Sequence, residues 1–442
     1  MKIKAAIFSL VVLCLGMTAL AQTSRGTVSG SVTDPTGAVI SGANIVLTNT
    51  ATTVSRSTVA NEEGFYRFDA VDLGTYTLKV TASGFGPVTK TEIVVSANLT
   101  STVDAQLTPG TQEVSVEVTA ESGALLQTEA PVRGGNIDAT RITELPIATR
   151  NPVSLALTLP GVSTNRFGFG VATFVVNGGR GRSNNFLIDG TENNDISIAG
   201  QGFQIKNPDA VQEVSIQTSN YDAEFGRAGG AVVNTITKAG TNNFHGTASW
   251  QYDSTRDDAL TNTQSLDPNL QKRGYPPYGT EHIFAGTIGG PVKLPGLYDG
   301  KDRTFFFGAY QNQRQASNTT TSVLVPSAAG RATLRSLFAQ GVNPRVDTLL
   351  AVTDGLAGIA NPTSIALGAG RPDIQFGQAV TAFGQTFVEP QYQVRIDHKI
   401  SEKSQLSSRY LFADQLNPVG GATLGLPGFT TGQANRFQNF LL

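Results

Sequence analysis

The last 200 or so residues alternate apolar and polar side chains with a period of two, and no other feature constrains the fold of this chain as much. In "YQVRIDHKI", Tyr392, Val394, Ile396 and Ile400 fall on one face of a strand, with Gln393, Arg395, Asp397 and Lys399 on the other. "QLSSRYLFAD" puts Leu406, Tyr410 and Phe412 together, and "HGTASWQYD" sets Ala248, Trp250 and Tyr252 against Thr247, Ser249, Gln251 and Asp253. "RTFFFGAYQNQR" reads the same way. A tight polar turn at Ser401 to Ser404 contrasts with Gly/Asn/Pro-rich excursions over Thr255–Gly279 and Pro326–Gly384. Apolar faces for lipid, polar faces for a lumen, and turns short on one side only are the pattern of an outer-membrane β-barrel. A soluble sandwich alternates as well, so periodicity needs independent support.

That support comes from the other end of the chain. Lys2 and Lys4 precede the apolar run Ala5 to Leu15, and Ala19 and Ala21 stand at −3 and −1 of a cut before Gln22. This is the form of a cleaved secretory signal over residues 1–21. The sole cysteine, Cys14, lies inside it, which leaves the exported chain without disulfides, thiolate catalysis or cysteine metal sites. No apolar run approaches 18 residues, so no transmembrane helix is expected. A formal net charge of −2 gives no footprint for nucleic acid.

Residues 24–110 carry about seven short alternating runs, among them "GTVSGSVTD", "GANIVLTNT" and "GTYTLKVTASGF", separated by turn signals at Asp34-Pro35 and Asn61 to Gly64. Such spacing predicts a β-sandwich, with Val28, Gly30 and Val32 on one side of the first strand. "QEVSVEVTAES" follows in a linker over 111–125. It reads either as one more edge strand or as a segment that adds to a partner's sheet. Asn151-Pro152 and Asn207-Pro208-Asp209 both carry helix-start chemistry, and mixed short elements over 126–239 predict an α+β domain.

"VVNGGRGRSNNFLIDGTENND", Val175 to Asp195, is the stretch with the most chemistry in it. It lacks GxxxxGK[ST], so a phosphate loop fails. Asp189, Glu192, Asn193, Asn194 and Asp195 could give calcium hard oxygens, without EF-hand spacing and in a composition common in turns. His245, His282 and His398 sit in three separate strands or loops and form no catalytic or zinc motif. No cofactor, metal site or enzymatic constellation is expected.

Three passages resemble known families. "GSVTDPTGAVISGANIVLTN" with "EGFYRF" and "LGTYTLKVTASGF" is similar to the carboxypeptidase regulatory-like domain, an accessory transthyretin-type sandwich without peptidase chemistry. "NGGRGRSNNFLIDGTENN" resembles the plug of TonB-dependent receptors of the Oar-like subfamily, matching at Asn177, Gly178, Arg180, Asn185, Asp189 and Gly190, with Arg182 beside them. "YDAEFGRAGGAVVNTITKAGTNNFHGT" resembles the end of that plug and the entry to the barrel, through Glu224, Gly226, Arg227, Gly229, Gly230, Asn234, Thr237, Lys238, Gly240 and His245. The segment Glu113, Val114, Ser115, Val116, Glu117, Val118 looks like a TonB box.

The resemblance implies a mainly β, multidomain protein with a sandwich, an α+β plug and a β-barrel from residue 240 on. It implies energy-coupled uptake across the outer membrane, driven by the TonB–ExbB–ExbD complex, of an unidentified extracellular ligand, with the sandwich in the periplasm and lipid around the barrel. An adhesion or signalling protein on the same scaffold is the alternative. Arg180, Arg182 and Arg227 are then expected to pair with lumen carboxylates. Barrels holding such a plug have about 22 strands and at roughly 10 residues per strand need well over 300 residues. About 200 follow Ala239, and "NRFQNFLL" gives no convincing closing strand, so an N-terminal portion with an open, partial sheet is expected.

Overall fold

The computed structural model describes residues 25–110, 114–117, 133–147, 150–164, 174–195, 200–221, 225, 228–260, 262, 265, 268–354, 360–368, 370–401, 404–422 and 430–441. The signal segment, Glu113, Val118, Glu224, Gly226 and Arg227 lie outside these residues.

The N-terminal sandwich is built from β1 (Gly26–Thr33), β2 (Asn44–Asn49), β3 (Ser55–Val59), β4 (Phe65–Val71), β5 (Gly74–Thr81), β6 (Val88–Val95), β7 (Thr100–Thr102), β8 (Ala105–Gln106) and β9 (Val114–Glu117). One sheet runs β4-β1-β7, with β8 also on β1, and the other β3-β2-β5-β6-β9. Between them lie Val28, Val32, Ile45, Leu47, Leu78 and Ile93, each 2% exposed or less. Each such side chain contributes about 1.5–3 kcal/mol by leaving water. Gly30 is required by a close approach: a Cβ there would sit 2.1 Å from the Val103 carbonyl oxygen, which also accepts the Tyr66 hydroxyl.

The middle domain contains β10 (Arg133–Asp138), β11 (Val162–Thr164), β12 (Phe174–Val176), β13 (Asn185–Ile188), β14 (Thr191–Glu192), β15 (Val211–Ser219) and β16 (Val232–Thr237). Its main sheet is ordered β10-β15-β16-β13-β14, and β13 runs parallel to β16. Asn151 caps a 3-10 helix at Pro152–Thr158 by accepting from the Val153 N–H, as its Asn-Pro start predicts. The second Asn-Pro start yields a single 3-10 turn, Pro208–Ala210, before β15. Val211, Val214 and Ile216 are β-branched, and Val214 and Ile216 alternate with Glu213, Ser215 and Gln217, which favours a strand there.

The third part is one sheet, β17 (His245–Ser254), β18 (Gly279–Pro291), β21 (Thr304–Pro326), β23 (Ile374–Ser401), β24 (Ser404–Ala422) and β25 (Thr430–Leu441) in that order. A small hairpin, β19 (Lys293–Leu294) and β20 (Tyr298–Asp299), precedes β21, and β22 (Ala360–Ile365) pairs β23. The sheet is open, with β17 and β25 at its edges. Pairing of β21 with β23 runs without a shift from Thr304↔His398 to Pro326↔Phe376, so one parity holds across the wall.

Two expectations are corrected here. Pro326–Gly384 is not one long excursion: β21 climbs to Pro326, helices at Ala328–Leu337 and Pro344–Val352 follow, and β23 returns from Ile374. Within "NRFQNFLL", Asn435 to Leu441 are strand, paired with β24 from Arg409↔Leu441 onward. Its amides lie on both faces, so hydropathy alternation is invisible there and cross-strand hydrogen bonding decides.

One face of the wall carries Trp250, Tyr252, Phe284, Tyr310, Tyr392, Val394, Ile396 and Tyr410, each at least 39% exposed. Tyr310, Tyr392 and Phe412 form a ladder across three strands, with centroids 5.0 and 5.9 Å apart. So broad an exposed apolar face suits lipid better than water. Its opposite face packs on the middle domain, since Phe307, Ala309, Leu411 and Ala413 share a core with Phe186, Val214 and Val233.

Candidate functional site: the seam between middle domain and wall

Asp189 ends β13 in the left-handed backbone region, at φ 48°, a conformation Asp adopts more readily than most residues. Its carboxylate accepts the Thr237 N–H (2.8 Å) and hydroxyl (2.7 Å), which fixes it against β16. So held, it points at two arginines of the wall. Arg409 Nε lies 2.7 Å from Asp189 Oδ2, and Arg395 Nη1 lies 3.7 Å from Oδ1. Arg395 grips Asp397 with two bonds, 2.9 and 3.1 Å, and donates to the Thr237 carbonyl at 3.0 Å. Arg409 donates to the Ile188 carbonyl at 3.2 Å.

The register explains why this matters. Arg395 and Arg409 are direct cross-strand partners in the β23–β24 pair. Like charges placed so repel each other, and Arg409 is only 1% exposed. The Arg409–Asp189 contact is close but not aligned as a hydrogen bond, and Arg409 Nη1 has no hydrogen-bond partner among the described residues. Charge neutralisation, more than hydrogen bonding, therefore holds Arg409 in place. The wall's two cations are balanced by its own Asp397 and by Asp189 from the middle domain.

A second contact lies along the same seam. Lys206 Nζ meets Glu389 at 2.7 Å, with side chains 17% and 6% exposed. Gln391 braces it, accepting the Lys206 N–H (3.1 Å) and donating to the Gln204 carbonyl (3.0 Å). At a third, Arg150 reaches Gln251 and Gln311 of the wall, and desolvation pulls its guanidinium below its ordinary pKa.

Arg180 and Arg182 lie elsewhere. Both are exposed, and neither forms an ion pair among the described residues. The charge pattern on this stretch of wall is the reverse of the expected one: the middle domain supplies the carboxylate and the wall the arginines. Asn177 (φ 51°) and Gly178 (φ 74°) shape the turn before them. Asn185 accepts from Asn194 at 2.7 Å, and Gly190 N donates to Asn234 at 3.1 Å. The N–H groups of Gly229 and Gly230 both bond the Ser183 carbonyl at 3.0 Å. A Cβ on Gly230 would lie 2.5 Å from Asn184 Oδ1, so glycine is needed there. These motif residues knit β13 to β16 and thereby aim Asp189. Asn193 and Asn194 likewise spend their side chains on Phe203, Asn185 and the Phe186 N–H.

The strand β9, the described part of the segment that resembles a TonB box, lies parallel to β6, with Val114 N bonding the Pro87 carbonyl at 3.0 Å. It is the last strand of its sheet, and Val114 and Ser115 are exposed. His245 bonds within its own turn, His282 lies beside Trp250 and Phe284, and His398 meets Thr304 at 2.7 Å. The three histidines are thus apart.

Sequence reasoning missed Arg395 and Arg409 as functional residues. Their signal is two cations at lumen parity, which register alone reveals as facing each other.

Comparison with known proteins agrees with this layout. Residues 27–108 match the family described as carboxypeptidase regulatory-like domain, 127–233 the TonB-dependent receptor plug domain, and 236–442 an outer membrane beta barrel domain. The chain is similar to the TonB-dependent transporter Oar of Myxococcus xanthus, with 26% identity over 436 residues. That similarity covers 94% of this chain and 36% of the relative, so the chain spans about a third of the length of the curated relative it matches. Among solved structures, a mutant ferric enterobactin receptor of Pseudomonas aeruginosa superimposes with 13% identity, covering 67% of this chain and 34% of that one, at a TM-score of 0.37. Catechol 1,2-dioxygenase of Acinetobacter radioresistens covers 22% of this chain and 58% of its own, with 10% identity and a TM-score of 0.17. Neither superposition carries an argument at such scores.

Proposed function

We propose, from the premise that this chain belongs to the family of TonB-dependent receptors, that it forms the gated entry of an energy-coupled outer-membrane transporter. Members of this family are receptors and transporters, not enzymes. The observation that carries the reading is the seam at Asp189. A plug that neutralises buried wall arginines is held shut by charge, yet a pull can free it without breaking a covalent bond. Closure by electrostatics and release by work are what a gate needs.

The sandwich and β9 stand on the side of the short turn at Ser401 to Ser404, which in such barrels is the periplasmic side. There β9 offers an open sheet edge to a strand of TonB, backed by ExbB and ExbD, and backbone hydrogen bonds supply the affinity. The long strands and helices beyond Pro326 stand on the opposite side, where an extracellular ligand arrives. The test is calorimetric titration of the purified full chain with the periplasmic domain of TonB. Binding is expected, and Ser115→Pro should abolish it by removing a backbone N–H from the open edge, since Val114 and Val116 turn theirs toward β6. Undiminished binding by Ser115→Pro would remove β9 from the coupling role, and no binding at all would favour adhesion or signalling on this scaffold.

A further inference from the structure

The N-terminal sandwich has no assigned task in the gate, yet it touches both moving parts. Its loop after β6 seats on the plug: Ala97 N donates to Glu213 Oε1 at 3.0 Å, and Asn136 Nδ2 donates to the same oxygen at 2.7 Å and to the Ala97 carbonyl at 3.0 Å. Asn98 Nδ2 reaches Ser215 Oγ at 3.5 Å. Ala97, Glu213 and Ser215 are at most 5% exposed. A second loop, at Ala51 to Thr53, seats on the wall and on the linker joining plug to wall. Asn242 N donates to the Ala51 carbonyl at 3.1 Å, and its side chain donates to the Thr52 carbonyl at 2.7 Å and to Asp302 at 2.6 Å. Asp302 N returns a bond to Asn242 Oδ1 at 2.7 Å, and the Thr53 hydroxyl bonds the Asp302 carboxylate.

Backbone strain marks the same points. Thr53, Asn98 and Asp302 have φ of 56°, 57° and 61°. Asn and Asp tolerate this region, but a β-branched threonine does so only when its surroundings hold it there.

We propose that the sandwich is a latch: it ties the plug sheet to the barrel turn at Asp302, and it must leave that turn before the plug can move. This rests on the energy-coupled reading of the chain. Because one rigid sandwich grips both parts, displacement of the plug relative to the wall has to break one grip. Each grip gathers two donors on a carboxyl oxygen, but the grip on the plug is buried, whereas the grip on the turn is exposed and water competes for its bonds. The exposed one yields first. Tension on β9 enters the sandwich through β6, and Ser96 to Asn98 follow directly at its end.

The test uses the full chain in cells, where the 442 residues hold one native cysteine, Cys14. Thr53→Cys with Asp302→Cys should form a disulfide spontaneously. Gln393→Cys, on the wall and 4% exposed beneath the plug, should react with a small thiol reagent about tenfold faster in energised cells than after addition of a protonophore. The disulfide should suppress that increase and a reductant restore it, while Asn242→Ala should raise reactivity even without energy. No disulfide, or Gln393→Cys reactivity indifferent to the disulfide and to Asn242→Ala, overturns the latch. Suppression by the disulfide with no effect of the protonophore would leave the latch standing and remove the energy-coupled reading.

Discussion

Asp189→Asn isolates the charge that holds the plug against the wall. Asn also tolerates the left-handed backbone at this position and keeps an acceptor for the Thr237 N–H. What it removes is the counter-charge of Arg409, which is 1% exposed and lies opposite Arg395 in the register. Arg395 keeps its two bonds to Asp397, so the penalty falls on Arg409. Breaking a buried pair from one side costs about 3–5 kcal/mol, which multiplies the unseated plug population by roughly a hundred to several thousand. The assay is thiol labelling of Gln393→Cys, 4% exposed beneath the plug, in the full chain as urea is raised, with labelling reporting plug release. Labelling should begin at lower urea for Asp189→Asn, and Arg409→Met in the same chain should restore most of the loss, because an apolar replacement removes the stranded charge. A coupling below about 0.5 kcal/mol in this double-mutant cycle would refute the reasoning.

Other expectations follow from the same geometry. Glu389→Gln strands Lys206, 17% exposed, and should cost about 2–5 kcal/mol in the same labelling assay, a loss that Lys206→Met recovers. Val394→Arg, on the lipid face, should lower folding free energy in bilayers by about 2–4 kcal/mol, whereas Val394→Leu should not. The sandwich–plug contact should depend on pH through Glu213, which Asn136, Asp138 and the Ser96–Asn98 loop surround. Burial raises its carboxyl from 4.5 to about 7, only partly offset by its bonds to Ala97 and Ser96, and Asp138 adds to the rise. A raised pKa means the docked form binds the proton better. The stabilisation is therefore complete below about 4.5 and is lost as pH rises through about 7. Ser215→Cys reactivity should climb over that window, by up to about tenfold per pH unit, and Glu213→Gln should flatten the curve.

Much of this architecture was legible because strand parity is written in side chains. Tyr392, Val394 and Ile396 announce the lipid face, and Gln393, Arg395 and Asp397 the inner one, before any pairing is known. The β13 motif pointed to Asp189 through Asp-Gly at a strand end. Its partners were hidden because Arg395 and Arg409 face each other only in the correct register, across a turn that fixes it. Arg180 and Arg182 drew attention by their spacing, but spacing in a glycine turn says nothing about which way a side chain points. Strand length was hidden too. β21 and β23 run 23 and 28 residues, far past the bilayer, through Thr-, Asn- and Gln-rich sequence that reads as loop when taken alone. The latch was invisible for a further reason: Thr53, Asn98, Asn242 and Asp302 are ordinary turn residues until three domains bring them together.

Motion of the plug off the wall is most directly read at Gln393, which is 4% exposed beneath the plug and whose side-chain nitrogen and oxygen have no hydrogen-bond partner among the described residues. Gln393→Cys therefore forfeits little. The measurement is its labelling by a thiol reagent in energised cells with and without TonB. The account predicts labelling that requires both TonB and the proton-motive force. Labelling at equal rates without TonB, or none under any condition while TonB is bound, would contradict it.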